Sequence, residues 1–473
     1  MAEIHRLARR FVPRAARTLA RRTLESGERL CQDVHVSVSR LSRPAIARVG
    51  SGRRPYEEPR PPLVDRLPVI LRNVESSLAD NIMPFWTRNT WDEEGGGFIT
   101  HLDRTGNRLG PSDKYLVMQA RMIWTLAAAH RHGLADRGYL ELARKGVRFL
   151  LDRMWDVEHS GFFWKVGRDG QAVDPRKITY GHAFATYALA EFAMASGDLH
   201  ALGWAETVFE VLYEKADDGE LGIREEFTRE WTASPANGQE RKTVGTHLHL
   251  LEGLTTLAKA SGKDRHTAAL RKTLEVLLAK GLHLRDRCAL DYPFDRSWRL
   301  RSPVGRKIVT SYGHNVELAW LILEAVDTLG EPRGTVGEVV LGLIDHALTY
   351  GFDRRRGGVA RYGPSAGSAV HAVYLDRDRL TKRWWEQAEM LVATIEAYRW
   401  TDETKYLVAF EKQFDWVWIY QTDHDGGDWF ETTTWDGRPL ILSKGHEWKC
   451  PYHSARALMR VSEALRAMGV RPE

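Results

Sequence analysis

From Leu63 onward the chain alternates between long apolar stretches and short polar loops, and within each stretch the apolar residues return every three or four positions. That period belongs to helices burying one side against a neighbour. It predicts a helix over Leu67–Phe85, followed by five pairs. These are Tyr115–His132 with Tyr139–Met154, Thr179–Ser196 with Ala201–Lys215, Lys242–Ser261 with Thr267–Leu282, Ser311–Leu329 with Val336–Tyr350, and Trp384–Tyr398 with Tyr406–Tyr420. A last helix over Cys450–Met468 makes twelve. The stretches are rich in Ala and Leu, which suits helix packed on helix.

The loops repeat as well. An Asp, usually followed within a few residues by Gly, stands at positions 92, 156, 217, 286, 353 and 423, at intervals of 64, 61, 69, 67 and 70 residues. The copy at 286 lacks the glycine. Twelve helices in six similar pairs predict an all-α, (α/α)6 barrel over residues 61–473, a closed toroid with short hairpin loops at one mouth. An open solenoid of helix pairs is the alternative; six units returning to a starting helix fit the closed form better.

Charge separates the first 60 residues from the rest. They hold 14 Arg, no Lys and 6 acids, a balance of +8, so that 5 − 8 leaves −3 on the remaining 413. The segment is expected to be a disordered extension; a transit peptide and a spurious upstream start fit the same composition. A mildly acidic folded part argues against a nucleic-acid partner. No run approaches the ~18 uninterrupted apolar residues of a membrane span. Three cysteines, Cys31, Cys288 and Cys450, lie far apart without metal spacing, which points to a reducing, cytoplasmic setting. The 17 tryptophans are many, and Trp lines carbohydrate sites as well as cores.

The chemistry gathers where the inner helices begin. Ser311-Tyr312-Gly313-His314-Asn315-Val316-Glu317 places His314 and Glu317 three apart, on one helical face. His249 and Glu252 repeat the spacing. An imidazole steered by a carboxylate is a general acid/base unit; a polar contact between packed helices would use the same residues. Arg121, Tyr180, Trp385, Glu389, Trp448 and His453 fall at corresponding places on the other inner helices. Twice His-x-x-Glu could supply four metal ligands, but di-iron bundles use Glu-x-x-His with further glutamates, so no metal or cofactor is expected. Paired carboxylates for inverting glycoside hydrolysis stay open. No glycine-rich phosphate loop is present.

Four motifs in order, Thr-His-Leu-His-Leu-Leu-Glu, Ser-Tyr-Gly-His-Asn-Val-Glu, Trp-Trp-Glu-Gln-Ala-Glu and Trp-Lys-Cys-Pro-Tyr-His, resemble the N-acylglucosamine 2-epimerase superfamily, closest to its cellobiose 2-epimerase branch. The resemblance runs from about Ile82 to Arg460. It implies metal-independent chemistry at C2 of an aldose, with His314 and His453 as acid and base and His249 as a binding and ring-opening histidine. It further implies that Arg121 holds the O1/O2 end, that Trp385 and Trp448 are stacking platforms, and that Glu317 and Glu389 support the histidines. The substrate implied is a small sugar of glucose or mannose configuration, including the reducing end of a β-1,4-linked disaccharide, in a monomer or homodimer. Where the branch reads Asn before Thr-His, Asp after Gly-His and Asn after the last His, this chain has Gly245, Asn315 and Ser454. Those positions are expected near the sugar hydroxyls. Aldose–ketose isomerisation is the nearest alternative outcome, and glycoside hydrolysis the alternative class.

Overall fold

The computed structural model describes residues 63–110, 113–134, 137–233, 241–283, 285–291, 293–300, 309–366 and 381–472. The Arg-rich N-terminal segment therefore lies outside the described residues. Among the described residues twelve helical rods follow in chain order. They begin with α1 (Leu67–Ser76, running on through the wide turn Ser77–Ile82 into Met83–Asn89), α2 (Leu116–Arg131), α3 (Tyr139–Phe149) and α4 (Thr179–Ser196). Next come α5 (Leu199–Lys215), α6 (Val244–Ser261), α7 (Asp264–Val276) and α8 (Tyr312–Thr328). The last four are α9 (Gly337–Tyr350), α10 (Trp384–Thr401), α11 (Thr404–Trp416) and α12 (Tyr452–Ala467). All twelve predicted helices are present, with ends shifted by a few residues. Wide π-type turns, Leu150–Met154, Leu277–Gly281 and Val417–Gln421, carry α3, α7 and α11 to their loops.

Burial sorts the rods into two layers. In α2 every residue from Leu116 to Ala129 is buried, and α4 and α6 are buried nearly as continuously, as expected of helices surrounded by protein. In α3 only Tyr139, Ala143, Gly146, Val147 and Phe149 are buried, which leaves one face for solvent. The even-numbered helices form the inner layer. Each packs against the next, α2 on α4, α4 on α6, α6 on α8, α8 on α10 and α10 on α12, and α12 lies against both α1 and α2.

The repeated Asp loops are buried electrostatic staples. Asp92, Asp156, Asp218 and Asp353 each receive a fully buried lysine from just ahead of an inner helix, Lys114 (3.0 Å), Lys177 (3.0 Å), Lys242 (2.8 Å) and Lys382 (3.1 Å), and Asp423 receives the buried Lys444 (2.9 Å) from the loop before α12. An arginine from the next repeat joins several of them, Arg168 on Asp92, Arg229 on Asp156 and Arg296 on Asp218. Arg104 of the first repeat does the same for Asp423 of the last, at 2.7 and 2.8 Å.

Two loop expectations are corrected. In the third loop the stapled residue is Asp218, while Asp217 faces outward to Lys272. In the fourth, Leu282 and His283 pair with Ala289 and Cys288, so His283 takes the aspartate's place in register. Asp286, three residues on, is instead bonded by Ser365 at 2.6 Å. A count along the sequence could not tell adjacent aspartates apart; the strand register does.

Candidate active site

One residue near the start of each inner helix sets the register of the site. Its side chain reaches outward and holds the preceding loop. Gln119 Oε1 accepts the Phe98 N–H at 2.7 Å, His182 Nε2 that of Phe162 at 2.8 Å and His247 Nε2 that of Ile223 at 3.1 Å. Asn315 Oδ1 accepts from Ala289 at 2.8 Å and Gln387 Oε1 from Val359 at 2.8 Å. Ser454 acts through Asp428, whose carboxylate accepts its hydroxyl at 2.8 Å. Asn315 and Ser454, expected beside sugar hydroxyls, are therefore loop anchors, fully buried and turned away from the axis. Gly245 is different: a Cβ there would meet nothing closer than Thr243 Oγ1 at 4.0 Å, so this position opens space.

Two residues beyond each anchor stand Arg121, Phe184, His249, Glu317, Glu389 and Arg456, all buried and all turned the other way. His249 Nδ1 lies 3.0 Å from Glu252, one turn further on. His453 Nδ1 lies 2.7 Å from Glu389, whose second oxygen accepts the Trp320 indole N–H at 2.8 Å. The Arg456 guanidinium joins these pairs. It donates to Glu252, to Glu317 at 2.7 Å and to Glu389 at 2.7 Å, and the Tyr452 hydroxyl also donates to Glu252.

The expected pairing of His314 with Glu317 is not formed. His249 stands two places after its anchor and His314 one place before its own, so the two His-x-x-Glu copies are out of register by three residues. Glu317 points to Arg456, whereas His314 Nδ1 faces Asp291 at 3.8 Å. Ser311 caps α8 by accepting the His314 backbone N–H at 3.3 Å. Gly313 lets α8 approach α10: a Cβ there would come 2.5 Å from Glu386 Cγ and 2.6 Å from the Trp385 ring. That approach sets the Trp385 indole 4.8 Å from the His314 ring and 5.7 Å from that of His453, centroid to centroid.

The remaining predicted residues form the facing wall. Arg121 donates to the Trp448 carbonyl at 2.8 Å and to the Tyr180 hydroxyl at 3.1 Å, with its guanidinium 4.4 Å above the Phe184 ring. Tyr180 stands edge-on to His249 and to Trp448, and Trp448 is 41% exposed at the rim. Arg456, Tyr452, Trp320 and Asp291 were missed in sequence. Arg456 was within reach: it shares the register of Arg121, His249, Glu317 and Glu389, three residues after His453.

Electrostatics divides the groups. Burial raises the Glu389 carboxyl, but Arg456 and His453 outweigh it and hold it at about 2. Glu252 is likewise held low by Arg456 and His249 against its burial. Glu317 goes the other way: burial and the Glu389 charge push it well up, into its protonated form. Burial pushes His453 down to about 3 and His249 to about 4 against their carboxylates, and lowers His314. With Glu252 and Glu389 ionised and Glu317 neutral, Arg121 and Arg456 balance the cluster around neutral imidazoles. Oxygens of Glu317 and Glu389 and a nitrogen of His453 lie within 4.8 Å of one another, a spacing that suits a metal ion. Arg456 already bonds both carboxylates, so the charge a divalent cation would find there is spent.

This arrangement offers two imidazoles beside one indole face, and an arginine and tyrosine across from them. Residues 97–457 match the N-acylglucosamine 2-epimerase (GlcNAc 2-epimerase) family. A cellobiose 2-epimerase from Bacteroides fragilis is 31% identical over 398 residues, which cover 82% of this chain and 97% of the relative. The solved cellobiose 2-epimerase of Spirochaeta thermophila is 29% identical with a TM-score of 0.75, over 86% of this chain and 99% of its own. A solved D-mannose isomerase shares the fold at 21% identity, with a TM-score of 0.72 over 84% of this chain and 97% of its own. By motif order and extent of match, the chain belongs to the N-acylglucosamine 2-epimerase family.

Proposed function

We propose that the protein is a sugar 2-epimerase acting on an aldose of glucose or mannose configuration, including the reducing end of a β-1,4-linked disaccharide. The observation that carries this reading is the Trp385 indole packed against both His314 and His453. A sugar stacked on that indole has an imidazole toward each side. In the open-chain form the aldehyde acidifies the C2 proton. His453 removes it, and its imidazolium is stabilised by Glu389 at 2.7 Å. Arg121 and the Tyr180 hydroxyl serve the negative oxygens of the enediolate. His314, whose side chain is 27% exposed, is the imidazole open to proton uptake, and it returns a proton to the other face. His249, backed by Glu252, assists ring opening, and Trp448 is a second stacking platform. No metal enters this chemistry, because Arg456 occupies the charge of the carboxylate cluster. The six helix pairs form a closed (α/α)6 barrel in this reading, supported by α12 packing on α2 and by the Arg104–Asp423 staple.

A second reading, aldose–ketose isomerisation, is favoured by the unequal support of the two imidazoles, 2.7 Å to Glu389 against 3.8 Å to Asp291. One strong base on one face returns the proton to C1. Hydrolysis is disfavoured because Glu252 and Glu389 are both bound by Arg456, so neither is free to activate a water. Turnover in deuterated water separates these readings. The proposal expects a C2 epimer labelled at C2, lost in both His314→Ala and His453→Ala by at least about a hundredfold. Ketose labelled at C1 with little epimer moves the assignment to isomerase. Release of a shorter sugar overturns both.

A further inference from the structure

The place just before the anchor holds His314 in the fourth repeat and His453 in the sixth. In the fifth, between them, it holds Glu386. Repeats one to three carry Met118, Gly181 and Thr246 there, so three ionisable groups stand in one register on α8, α10 and α12. Glu386 is fully buried, and no other described residue offers either of its carboxyl oxygens a hydrogen bond. Its Cγ lies against Gly313, the residue before His314, in the gap that this glycine leaves. A buried carboxyl without partners is destabilising, so its presence at this place calls for a reason.

The charged groups around Glu386 are those around His314. The strands Val309–Ser311 and Tyr362–Pro364 pair antiparallel beside the start of α8, with Tyr362 opposite Ser311. The Arg361 carbonyl accepts the Tyr312 N–H at 3.3 Å, and the Asp291 N–H donates to the Val309 carbonyl at 3.4 Å, which gathers Asp291, Arg361 and Tyr362 at that end of the helix. Burial pushes the Glu386 carboxyl up to about 7; Arg383 and Arg361 pull against it, and the Asp291 charge adds to it. Burial also lowers His314, joined by Arg361, while Asp291, 3.8 Å from Nδ1, and Glu389 favour its cation. Glu389 is already engaged by His453 and Arg456. Tyr362 is pushed up to about 12 by burial and by the Asp291 and Glu386 charges, so it stays neutral. In this setting the carboxyl keeps its proton at neutrality and the imidazole lacks one.

We propose that Glu386 is a positioning residue for the reaction, the counter-charge that appears when His314 becomes an imidazolium. The inference rests on the role given to His314 above. Glu386 gives up its proton as His314, 27% exposed, takes one up, so a negative and a positive charge form together and the net charge of the buried region is unchanged. The imidazolium then protonates C2 on its side. His453 releases to solvent the proton it removed from C2, Glu386 takes one back, and the cycle closes with no net proton gained or lost. An isolated imidazolium at this depth, facing Arg361, would form much less readily.

Two rates measured in deuterated water test this, on the full chain with glucose and, separately, cellobiose. Label entering C2 of the recovered sugar needs only His453, whereas label in the epimer also needs His314 as an acid. Glu386→Gln keeps the shape of the side chain and cannot ionise. At neutral pH its epimer formation should fall by about tenfold, the change in imidazolium that one pKa unit makes, while exchange into recovered sugar continues. At lower pH, where His314 takes up a proton unaided, the variant should approach wild type. Glu386→Asp keeps an acid and should restore both the ratio of the two rates and its pH profile. That ratio does not depend on how much of a variant folds. Equal losses of both rates, a ratio that lower pH does not restore, or an aspartate variant as defective as the glutamine one overturns the role of Glu386. A wild type that neither exchanges C2 nor forms epimer overturns the epimerase reading itself, and this inference with it.

Discussion

Arg456 is a guanidinium 1% exposed with three carboxylates around it, and at that depth charge has to balance closely. The loss of one partner from a buried ion cluster costs about 3–5 kcal/mol, because the remaining charge is stranded. A proton on Glu317 is the least costly way to remove the third negative charge. Glu317→Gln copies that protonated form and keeps an acceptor for Arg456, so it should leave turnover and melting temperature close to wild type. Glu389→Gln takes away the anion that stabilises the His453 imidazolium and should lower turnover by at least about a hundredfold. Steady-state kinetics on both variants decide it; equal losses would mean that Glu317 works as an anion. At this scale the sequence was informative about residue types and misleading about partners. The resemblance implied that Glu389 supports a histidine, but spacing did not show that the partner is His453, on a different helix; His314 with Glu317, three apart on one helix, looked like a bond and is not. Local spacing reports a shared face; it does not report which way a neighbouring helix turns its own side chains.

Each inner helix carries out two tasks from one short turn, with an anchor facing out and a buried site residue facing in. The anchor position holds Gln, His, His, Asn, Gln and Ser in the six repeats, which is why no identity pattern showed it in the sequence; five of them supply an acceptor, and Ser454 instead donates to Asp428. His182 and His247 supply theirs as neutral imidazoles, each donating through Nδ1 to a carbonyl, of Ile178 and Thr243, and accepting through Nε2. Burial pushes both down to about 4. In the unfolded chain the same side chains titrate near ~6.5. The unfolded state therefore takes up protons first as the pH falls. The stability these anchors contribute is present above pH ~6.5 and is lost on going down toward pH 4. Because repeats one and five use glutamine in the same place, His182→Gln and His247→Gln should hold the loops at neutral pH and flatten the fall in melting temperature between pH ~6.5 and 4. A fall as steep as wild type would mean that other groups carry the acid sensitivity. Helix existence was legible from period alone, while the strand register that separates Asp218 from Asp217 was not, since it depends on pairing across a loop.

At the scale of the molecule, the separate charge balance of residues 1–60 and the absence of a repeat unit there lead to the expectation that their removal leaves turnover and melting temperature nearly unchanged. A large loss of either, in a direct comparison of the two lengths of chain, would show that the segment is part of the domain. The six-fold count was legible because the Asp loop and the helix pair recur together. The arginine that four of the repeats lend to the one before was not, since Arg168, Arg229, Arg296 and Arg104 find their aspartates only after folding. Of these junctions, the one between Arg104 and Asp423 joins the first repeat to the last, yet it is made of the same pieces as the others. Nearby, Ser462 and Arg466 of α12 bond Glu75 of α1, at 2.8 and 2.7 Å, so the first and last rods lie side by side. Where the chain starts is then a matter of wiring, not of architecture. A circular permutant that links Arg471 to Leu63 by a flexible spacer and opens the polypeptide between α4 and α5, at Gly197, should fold to the same packing of helices and keep its catalytic rate.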